Sequence, residues 1–348
     1  MVFRIRLVFI AIFSLVSFLK AQTNEPHLVN LRQLTFGGDN AEAYWSFNNK
    51  KLSFQSNNKA WGLRCDQIFK MDLNAPIDTP HKPQLISTGQ GRTTCSFYMP
   101  DNKHILFAST HLADPNCPAD PPPSKRYLWA IYPSFDIFVA DEKGKIVKQL
   151  TNEPGYDAEA TVSPKGDKIV FTSTRNGDLD LYIMDIDGKN VKQITFGLGY
   201  DGGAFFSPDG TKLVFRASRP TGEEETKDYK ELLAQGLVAP TSMEIYTCNI
   251  DGSNMQQITH LGKANWAPFY HPSGKKIIFS SNHHSAKGYD FQLFLVNEDG
   301  TGLERITNES LFNAFPMFSP DGKKIIFSSN RRNGGTRDTN LFVADWKD

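Results

Sequence analysis

An apolar strand, a polar turn and a second apolar strand recur six times between residue 40 and the end of the chain. The clearest copies are Ala314–Asn330 and Gly203–Ser218, in which Ser-Pro-Asp-Gly forms the turn. Gly or Asn at the fourth turn position suits a tight reversal that requires positive φ. Apolar residues fill every second position of the strand after the turn. That period indicates a strand with one buried face.

Each copy continues with a third strand that ends at an acidic or amide residue. A short fourth strand follows, such as Gln149–Thr151 or Gln193–Thr195. Four short strands repeated six times predict an all-β fold, namely a six-bladed β-propeller of four-stranded antiparallel blades. The motif Gln33–Thr35 precedes the first complete copy, and the chain ends just after a third strand. We therefore expect residues 29–36 to join the last blade and close the ring, which removes an open sheet edge.

The repeats resemble the TolB-type, or WD40-like PD40, propeller repeats of exported bacterial proteins, over about residues 29–348. The resemblance implies a TolB-like six-bladed propeller and an exported protein. TolB proteins carry a further N-terminal α/β domain, and we expect no counterpart of that domain in this chain.

The N-terminus has the pattern of a secretory signal peptide. Two arginines precede the apolar run Leu7–Leu19, which is short for a membrane-spanning helix. Cleavage after Ala21 would leave residues 22–348 as a single propeller domain, and residues 1–21 as the signal peptide. No cysteine lies near this site, so no lipid attachment is expected there. We expect a periplasmic or secreted protein without a membrane span after cleavage; the alternative is an uncleaved membrane anchor.

Charge and cysteine content narrow the classes of partner. The 38 basic and 38 acidic residues balance, which argues against a nucleic-acid partner. We expect a monomer. Export permits disulfides, and Cys65, Cys95 and Cys117 map to the same end of blades 1 and 2. We predict one disulfide among these three and a free Cys248 in the core. No C-x-x-C pair is present, so no structural zinc site is expected.

Two insertions, residues 109–134 and 220–242, interrupt loops between the second and third strands of blades 2 and 4. The first contains a proline-rich segment and an aromatic stretch. The second contains a capping-box pattern, Thr221 with Glu224, and then apolar residues at helical spacing. Both insertions lie on one face of the propeller, the loop face. They act either as a functional lid or as a cover for apolar surface.

Polar residues are expected to ring the channel mouth on the loop face. Six of them precede the turns at a constant spacing: Asn40, Thr93, Asp157, Asp201, Asn265 and Asn313. Glu42 and Glu159 come just inside this ring, and Arg92 is adjacent to it. Asp and Asn are also common where a loop enters a strand. The ring is therefore either local turn structure or the floor of a site for a cation or polar ligand.

Histidines supply an alternative chemistry on the same face. His260, His283 and His284 belong to blade 5, and they are the candidate ligands for a divalent metal. His111 comes from the first insertion. The alternative hypothesis is an enzyme, a lyase or hydrolase that acts on a polysaccharide or peptide, with or without a metal. Its active site would contain His111, His260, His283 and Arg216.

Common catalytic motifs are absent: the sequence contains neither G-x-S-x-G nor H-E-x-x-H. Our leading hypothesis is a non-enzymatic module that binds an envelope or secreted protein, or a peptide, through the loop face and requires no cofactor. The alternatives are the enzyme and a sensor of a small ligand.

Overall fold

The computed structural model describes residues 25–73 and 82–348. The signal peptide predicted for residues 1–21 lies outside the described residues. The described chain forms six four-stranded antiparallel sheets arranged as the blades of a propeller, in which the first strands pack against one another around a channel. This confirms the predicted architecture. In the described part of the chain, no helix has the length and apolar character needed to cross a membrane.

The strands of each blade follow one another from the channel outwards. Blade 1 comprises Asp39–Trp45, Lys51–Asn57, Gln67–Asp72 and Gln84–Leu85. Blade 2 comprises Thr93–Tyr98, His104–Ser109, Asp136–Asp141 and Ile146–Gln149. Blade 3 comprises Asp157–Val162, Lys168–Ser173, Asp180–Asp185 and Lys192–Gln193.

Blades 4 to 6 repeat this order, and blade 6 takes its outer strand from the N-terminus. Blade 4 comprises Asp201–Phe206, Lys212–Ala217, Glu244–Asn249 and Gln256–Gln257. Blade 5 comprises Asn265–Tyr270, Lys276–Ser281, Gln292–Asn297 and Glu304–Arg305. Blade 6 comprises Asn313–Phe318, Lys324–Ser329, Asn340–Trp346 and Leu28–Gln33.

The predicted ring closure is confirmed. Leu28–Gln33 pairs antiparallel with Asn340–Trp346, with Gln33 opposite Phe342. The hydroxyl of Thr35 accepts a hydrogen bond of 2.8 Å from the Leu341 amide. The same bond joins Thr195 to the Leu181 amide in blade 3, which explains the threonine of the repeated fourth-strand motif. Blade 6 is therefore completed by the same contact as a blade that is continuous in sequence.

The blades pack through large apolar side chains of their second strands. One phenylalanine of each blade is fully buried there: Phe54, Phe107, Phe171, Phe215, Phe279 and Phe327. Most of these rings pack on an aromatic residue of the third strand, as Phe54 does on Phe69 with 5.9 Å between centroids. The period of two in the sequence marks this buried face.

The Ser-Pro-Asp-Gly turns are fixed by short-range hydrogen bonds. In blade 4, the Ser207 hydroxyl donates to the Asp209 carboxylate at 2.6 Å, and the Gly210 amide donates to the Ser207 carbonyl at 2.8 Å. Gly210 has a φ of 69°, which L-residues with a Cβ rarely adopt. The turn residues thus satisfy their own backbone groups and place the two strands in register.

One disulfide joins Cys65 of blade 1 to Cys117 of the first insertion, while Cys95 and the buried Cys248 are free. This agrees with the prediction of a single bond among the first three cysteines. The second insertion contains the predicted helix, Gly222–Leu233, with Thr221 as its N-cap. The carboxylate that accepts from the Thr221 amide and hydroxyl belongs to Glu225, not to the predicted Glu224, and the Thr221 side chain makes no capping bond to the helix.

Candidate functional site

A β-bulge interrupts the first strand of every blade beside the channel. At each bulge the register with the second strand shifts. One residue per bulge adopts a left-handed φ between 43° and 59°: Glu42, Cys95, Glu159, Gly203, Ala267 and Phe315. A bulge changes the direction of a side chain. All six of these bulge residues line a single cavity of about 480 Å³ at the channel mouth on the loop face.

The two insertions meet above this cavity. Trp129–Ala130 of the first insertion pairs antiparallel with Leu237–Val238 of the second. Arg126 makes two hydrogen bonds of 2.7 Å to the carboxylate of Asp228 on the helix. The insertions, which we call the lid, therefore form one unit that covers the mouth of the channel.

Aromatic rings make up much of the cavity wall. Trp129 of the lid lies 5.1 Å from Trp266 of blade 5, measured between ring centroids. The Trp266 indole nitrogen donates to the Pro240 carbonyl of the lid at 2.8 Å. Tyr132, Tyr156 and further rings complete the lining. Rings with fixed partners give a preformed apolar wall, as expected for a small-molecule site.

Glu159 is held as a carboxylate inside the cavity. It accepts hydrogen bonds from the Tyr200 hydroxyl at 2.7 Å, the Thr172 hydroxyl at 2.8 Å and the Gly203 amide at 2.9 Å, and it pairs with Arg216. Burial raises the pKa of Glu159, but the Arg216 charge and these hydrogen bonds outweigh burial and hold the pKa below its ordinary value. Glu159 and Arg216 thus neutralise each other.

Arg216 occupies the place that a side chain at the fourth bulge would take. A Cβ built on Gly203 would lie 2.0 Å from Nη1 of Arg216. The guanidinium lies beside Trp129 and Tyr200, with its carbon 5.1 Å and 4.9 Å from the two ring centroids, and the two ring planes are nearly perpendicular. Its Nε is buried and has no hydrogen-bond partner among the described residues.

Glu42 differs from Glu159 in its surroundings. Burial, assisted by the nearby Glu159 charge, raises the pKa of Glu42 to about 7, against the lowering effects of a hydrogen bond with the Cys95 thiol and of the Arg216 charge. The Tyr44 hydroxyl donates to Glu42 over a long 3.4 Å. In residues 25–73 and 82–348 no lysine, arginine or histidine forms an ion pair with it. Two carboxyl groups in one cavity therefore have pKa values shifted in opposite directions.

Arg92, a predicted ligand-binding residue, lines the outer part of the cavity. Its guanidinium donates to Asp120 of the first insertion at 2.8 Å and lies 4.0 Å from Asp66. It also lies 5.6 Å from the centroid of the Tyr132 ring. Arg92 connects the rim of the cavity to the lid.

The predicted polar ring lies two positions before the bulge residues and is almost completely buried. Its side chains bond to nearby protein groups. Asp157 pairs with Arg175 at 2.8 Å and Asp201 with Arg219 at 2.6 Å. The remaining four side chains also bond to the protein: Asn40 to Thr339, Thr93 to Asp66, Asn265 to Ser281 and Asn313 to Arg331. Ligand binding by this ring stays a prediction.

The structure does not bring the candidate catalytic histidines into the cavity that Arg216 lines. The His111 ring packs on Phe138 with 4.5 Å between centroids, and His283 packs on Phe294 at 4.6 Å. Burial lowers the pKa of both imidazoles. His260 contacts Gln257 at 3.0 Å. These histidines sit beside the outer strands of their blades.

The candidate metal ligands do not form a cluster. The ring centroids of His283 and His284 lie 5.6 Å apart, and His284 is 3.4 Å from Asp290. Across residues 25–73 and 82–348, no group of three or more His, Cys, Asp or Glu side chains is arranged to hold a metal ion. Metal binding at blade 5 stays a prediction.

The sequence patterns did not predict several residues that line the cavity. Tyr156 and Tyr200 each precede a residue of the polar ring, and Trp266 follows one. An aromatic residue next to the ring position in three blades is a signal that could have identified them. Trp129 lies in the aromatic stretch of the first insertion, but its position over Arg216 depends on contacts between blades.

Comparisons with known proteins agree with the propeller fold. The family model described as the TolB beta propeller domain (PD40) matches residues 130–231. A search of curated proteins finds no significant match. A structure of TolB from Acinetobacter baumannii is 19% identical and has a TM-score of 0.58, with 87% of this chain and 65% of that chain covered. This chain therefore spans less than two thirds of that protein.

Two further structures extend the comparison. A protein assigned as TolB from Agrobacterium tumefaciens is 20% identical, covers 89% of this chain and 91% of its own, and has a TM-score of 0.57. Oligogalacturonate lyase from Vibrio parahaemolyticus is 14% identical, covers 90% and 79%, and has a TM-score of 0.53. At these identities the likeness concerns the fold. In its fold, the chain is a TolB-like six-bladed β-propeller.

Proposed function

We propose that the chain is an exported binding protein that holds a small ligand in the cavity beneath the lid. The observation that carries this proposal is the cavity of about 480 Å³, lined by aromatic rings and a few charged groups. Small-molecule sites typically have volumes of about 300–1,000 Å³ and combine an apolar wall with a few polar groups. The lid supports this function because Trp129 and Tyr132 within it form part of the cavity wall.

The lid also affects the hypothesis of a protein or peptide partner. A peptide could enter the channel from the loop face only after the Trp129–Ala130 and Leu237–Val238 pairing separates. A partner protein would instead contact the outer surface of the lid. The volume of about 480 Å³ therefore favours a small ligand over a peptide as the occupant of the channel mouth.

A second candidate function is an enzyme that uses the same cavity. The observation that favours it is the opposite pKa shift of Glu42 and Glu159. Carboxyl groups whose surroundings separate their pKa values are typical of acid and base pairs in catalysis. Glu42, with a pKa of about 7, would transfer the proton. Mass spectrometry of the bound ligand after incubation separates the two functions, because an enzyme alters the ligand and a binding protein returns it unchanged.

The disulfide supports the export part of the proposal. Cys65 and Cys117 are joined across 52 residues of sequence, and such bonds persist mainly in oxidising compartments. We expect a protein isolated from a periplasmic extract or culture medium to begin at residue 22. N-terminal sequencing checks this. A protein that retains Met1 in the membrane fraction would contradict the proposal.

Ligand binding is tested by thermal-shift measurements with a library of amino acids, amines, sugars, sugar acids and nucleotides. We expect at least one compound to raise the melting temperature of the protein saturably. Trp129→Ala removes a ring that lines the cavity and should abolish that shift. Phe196→Ala is the matched control, because Phe196 is 75% exposed on the surface and does not line the cavity. A shift that survives Trp129→Ala unchanged would place the ligand elsewhere.

A further inference from the structure

Some charged side chains of the cavity have ion-pair partners and one does not. Arg216 is committed to Glu159, and Arg92 to Asp120 and Asp66. Glu42 is left with a thiol and a distant hydroxyl as its partners. An ionised carboxylate away from water is costly unless a cation or strong donors accompany it. The cavity thus contains one carboxyl group with no ion-pair partner among the described residues, and the Arg216 charge that acts on it is already paired with Glu159.

The walls around Glu42 suit a cation. Tyr44, whose hydroxyl donates to Glu42, lines the same cavity as Tyr156, Trp129 and Trp266. The face of an aromatic ring attracts an ammonium group, most strongly where water is excluded. An anionic ligand would meet the negative faces of the rings and the Glu42 carboxylate together, so these walls disfavour it.

The unpaired donors of Arg216 add a second requirement for the ligand. Its side chain is 8% exposed and lines the cavity, and Nε has no hydrogen-bond partner among the described residues. Nη1 lies over Gly203, the one bulge position without a side chain. No hydrogen bond from Nη1 to the described protein is present, whereas Nη2 bonds to both Glu159 and Tyr200. A guanidinium with unused donors beside a cavity favours a ligand that brings an oxygen acceptor.

We propose that the ligand of this cavity is a small organic amine that also carries an oxygen acceptor, with its ammonium group on Glu42 and its oxygen facing Arg216. This inference rests on the proposed function, because it names the chemistry of the ligand that the lid encloses. Amino alcohols, amino sugars and amino acids have these two groups. A neutral sugar lacks the ammonium, and a simple sugar acid carries a negative charge in its place.

Matched pairs of compounds test the ammonium group directly. Isothermal titration calorimetry compares glucosamine with glucose, and ethanolamine with ethylene glycol. We expect the amine of at least one pair to bind about tenfold or more tightly than its hydroxyl counterpart. Equal affinities within both pairs, or no binding of either amine, would overturn the inference. A neutral ligand that binds in a Trp129-dependent manner would overturn it and leave the proposed function standing.

Glu42→Gln removes the charge and keeps the size of the side chain. We expect it to weaken amine binding by about 30-fold or more, because one partner of an enclosed charge pair is lost. Glu153→Gln, at an exposed loop carboxyl, is the control and should bind as the unmodified protein does. Circular dichroism establishes that both variants are folded. Unchanged affinity of a folded Glu42→Gln variant would contradict the proposal.

The pH dependence of the unmodified protein gives a test that requires no variant. The charged and titratable groups around Glu42 are Cys95, Tyr44, Glu159, Arg216 and Asp66. Only ionised Glu42 pairs with an ammonium group, and its pKa in the free protein is about 7. Amine binding should therefore weaken by about tenfold from pH 8 to pH 6. Affinity that is constant over this interval would contradict a role for Glu42.

Discussion

Single residues at the six bulges decide the chemistry of the channel. Blades 1 to 3 place Glu42, Cys95 and Glu159 there, whereas blades 5 and 6 place Ala267 and Phe315. One side of the cavity is consequently polar and the other apolar. A ligand with a polar end and an apolar body would match this division.

The constant spacing of the repeats placed Glu42 and Glu159 just inside the predicted polar ring. The sequence could not indicate which way these side chains turn, because the left-handed φ at each bulge arises from strand pairing. It also could not indicate that Arg216 fills the space over Gly203. That contact joins neighbouring strands and has no periodic signature. The candidate site was therefore predicted to the correct face but not to its full set of residues.

The raised pKa of Glu42 predicts a pH-dependent cost to stability. The folded protein binds a proton at Glu42 up to about pH 7, whereas the unfolded chain releases it near 4.5. The contribution of Glu42 to the free energy of unfolding is thus fully present below pH 4.5 and is lost as the pH rises through 7. Glu42→Gln should be more stable than the unmodified protein at pH 8 by roughly 3 kcal/mol.

Urea unfolding at pH 4 and pH 8 measures this difference. At pH 4 the two proteins should have similar free energies of unfolding, because Glu42 is neutral in both the folded and the unfolded state. Glu153→Gln should follow the unmodified protein at both values. An equal effect of Glu42→Gln at pH 4 and pH 8 would show that Glu42 titrates normally.

The close contact at the Gly203 bulge predicts that adding one methyl group there lowers the stability of the protein substantially. Gly203→Ala would place a Cβ against Nη1 of Arg216 and displace the ion pair with Glu159. Gly262→Ala is the matched control, since Gly262 has a similar φ of 68° and open space around it. We expect a loss of about 1 kcal/mol for Gly262→Ala, from backbone strain. Gly203→Ala should cost about 1–3 kcal/mol more, because the site is also overpacked.

Chemical denaturation of the two glycine variants measures these losses. The other five bulge residues carry side chains at comparable φ values, so strain alone does not demand glycine in blade 4. Equal losses for Gly203→Ala and Gly262→Ala would mean that Arg216 moves aside without cost.

At the scale of elements, the lid is the feature that departs most from the repeat. The sequence predicted both insertions and the helix Gly222–Leu233, because length differences between copies and helical spacing are local signals. The pairing of Trp129–Ala130 with Leu237–Val238 was not predictable in the same way. Two-residue strands have no usable period, and their partners belong to different blades.

The Cys65–Cys117 disulfide attaches the first insertion to blade 1. Because a crosslink restricts the unfolded chain, we expect reduction of this bond to lower stability by about 2–4 kcal/mol. Thermal unfolding with and without a reducing agent measures the effect. The variant Cys65→Ser with Cys117→Ser is the control and should melt at one temperature in both conditions. If the reducing agent does not change the melting temperature of the unmodified protein, the disulfide does not stabilise the fold.

The whole molecule depends on how the ring is closed. The repeat predicted closure because a fourth strand stands alone at the start of the chain. The structure adds an anchor ahead of that strand. Glu25 and Arg331 are both nearly fully buried and form two hydrogen bonds of 2.9 Å and 3.1 Å. Glu25 also accepts hydrogen bonds from the amides of Asn308 and Glu309, so the N-terminal segment holds blades 5 and 6 together.

Removal of this segment should therefore open the ring at blade 6 first. A chain that begins at residue 37 lacks the anchor, the closing strand and Thr35, whereas one that begins at residue 25 retains all three. The Leu341 amide donates to Thr35 and the Leu181 amide donates to Thr195, both at 2.8 Å. In the shorter chain, hydrogen exchange should accelerate strongly at Leu341 and little at Leu181, because an edge without its partner strand exposes its amides to water. Equal acceleration at both amides would show that the ring unfolds as one unit, and unchanged exchange at Leu341 would show that blade 6 does not need the N-terminal strand.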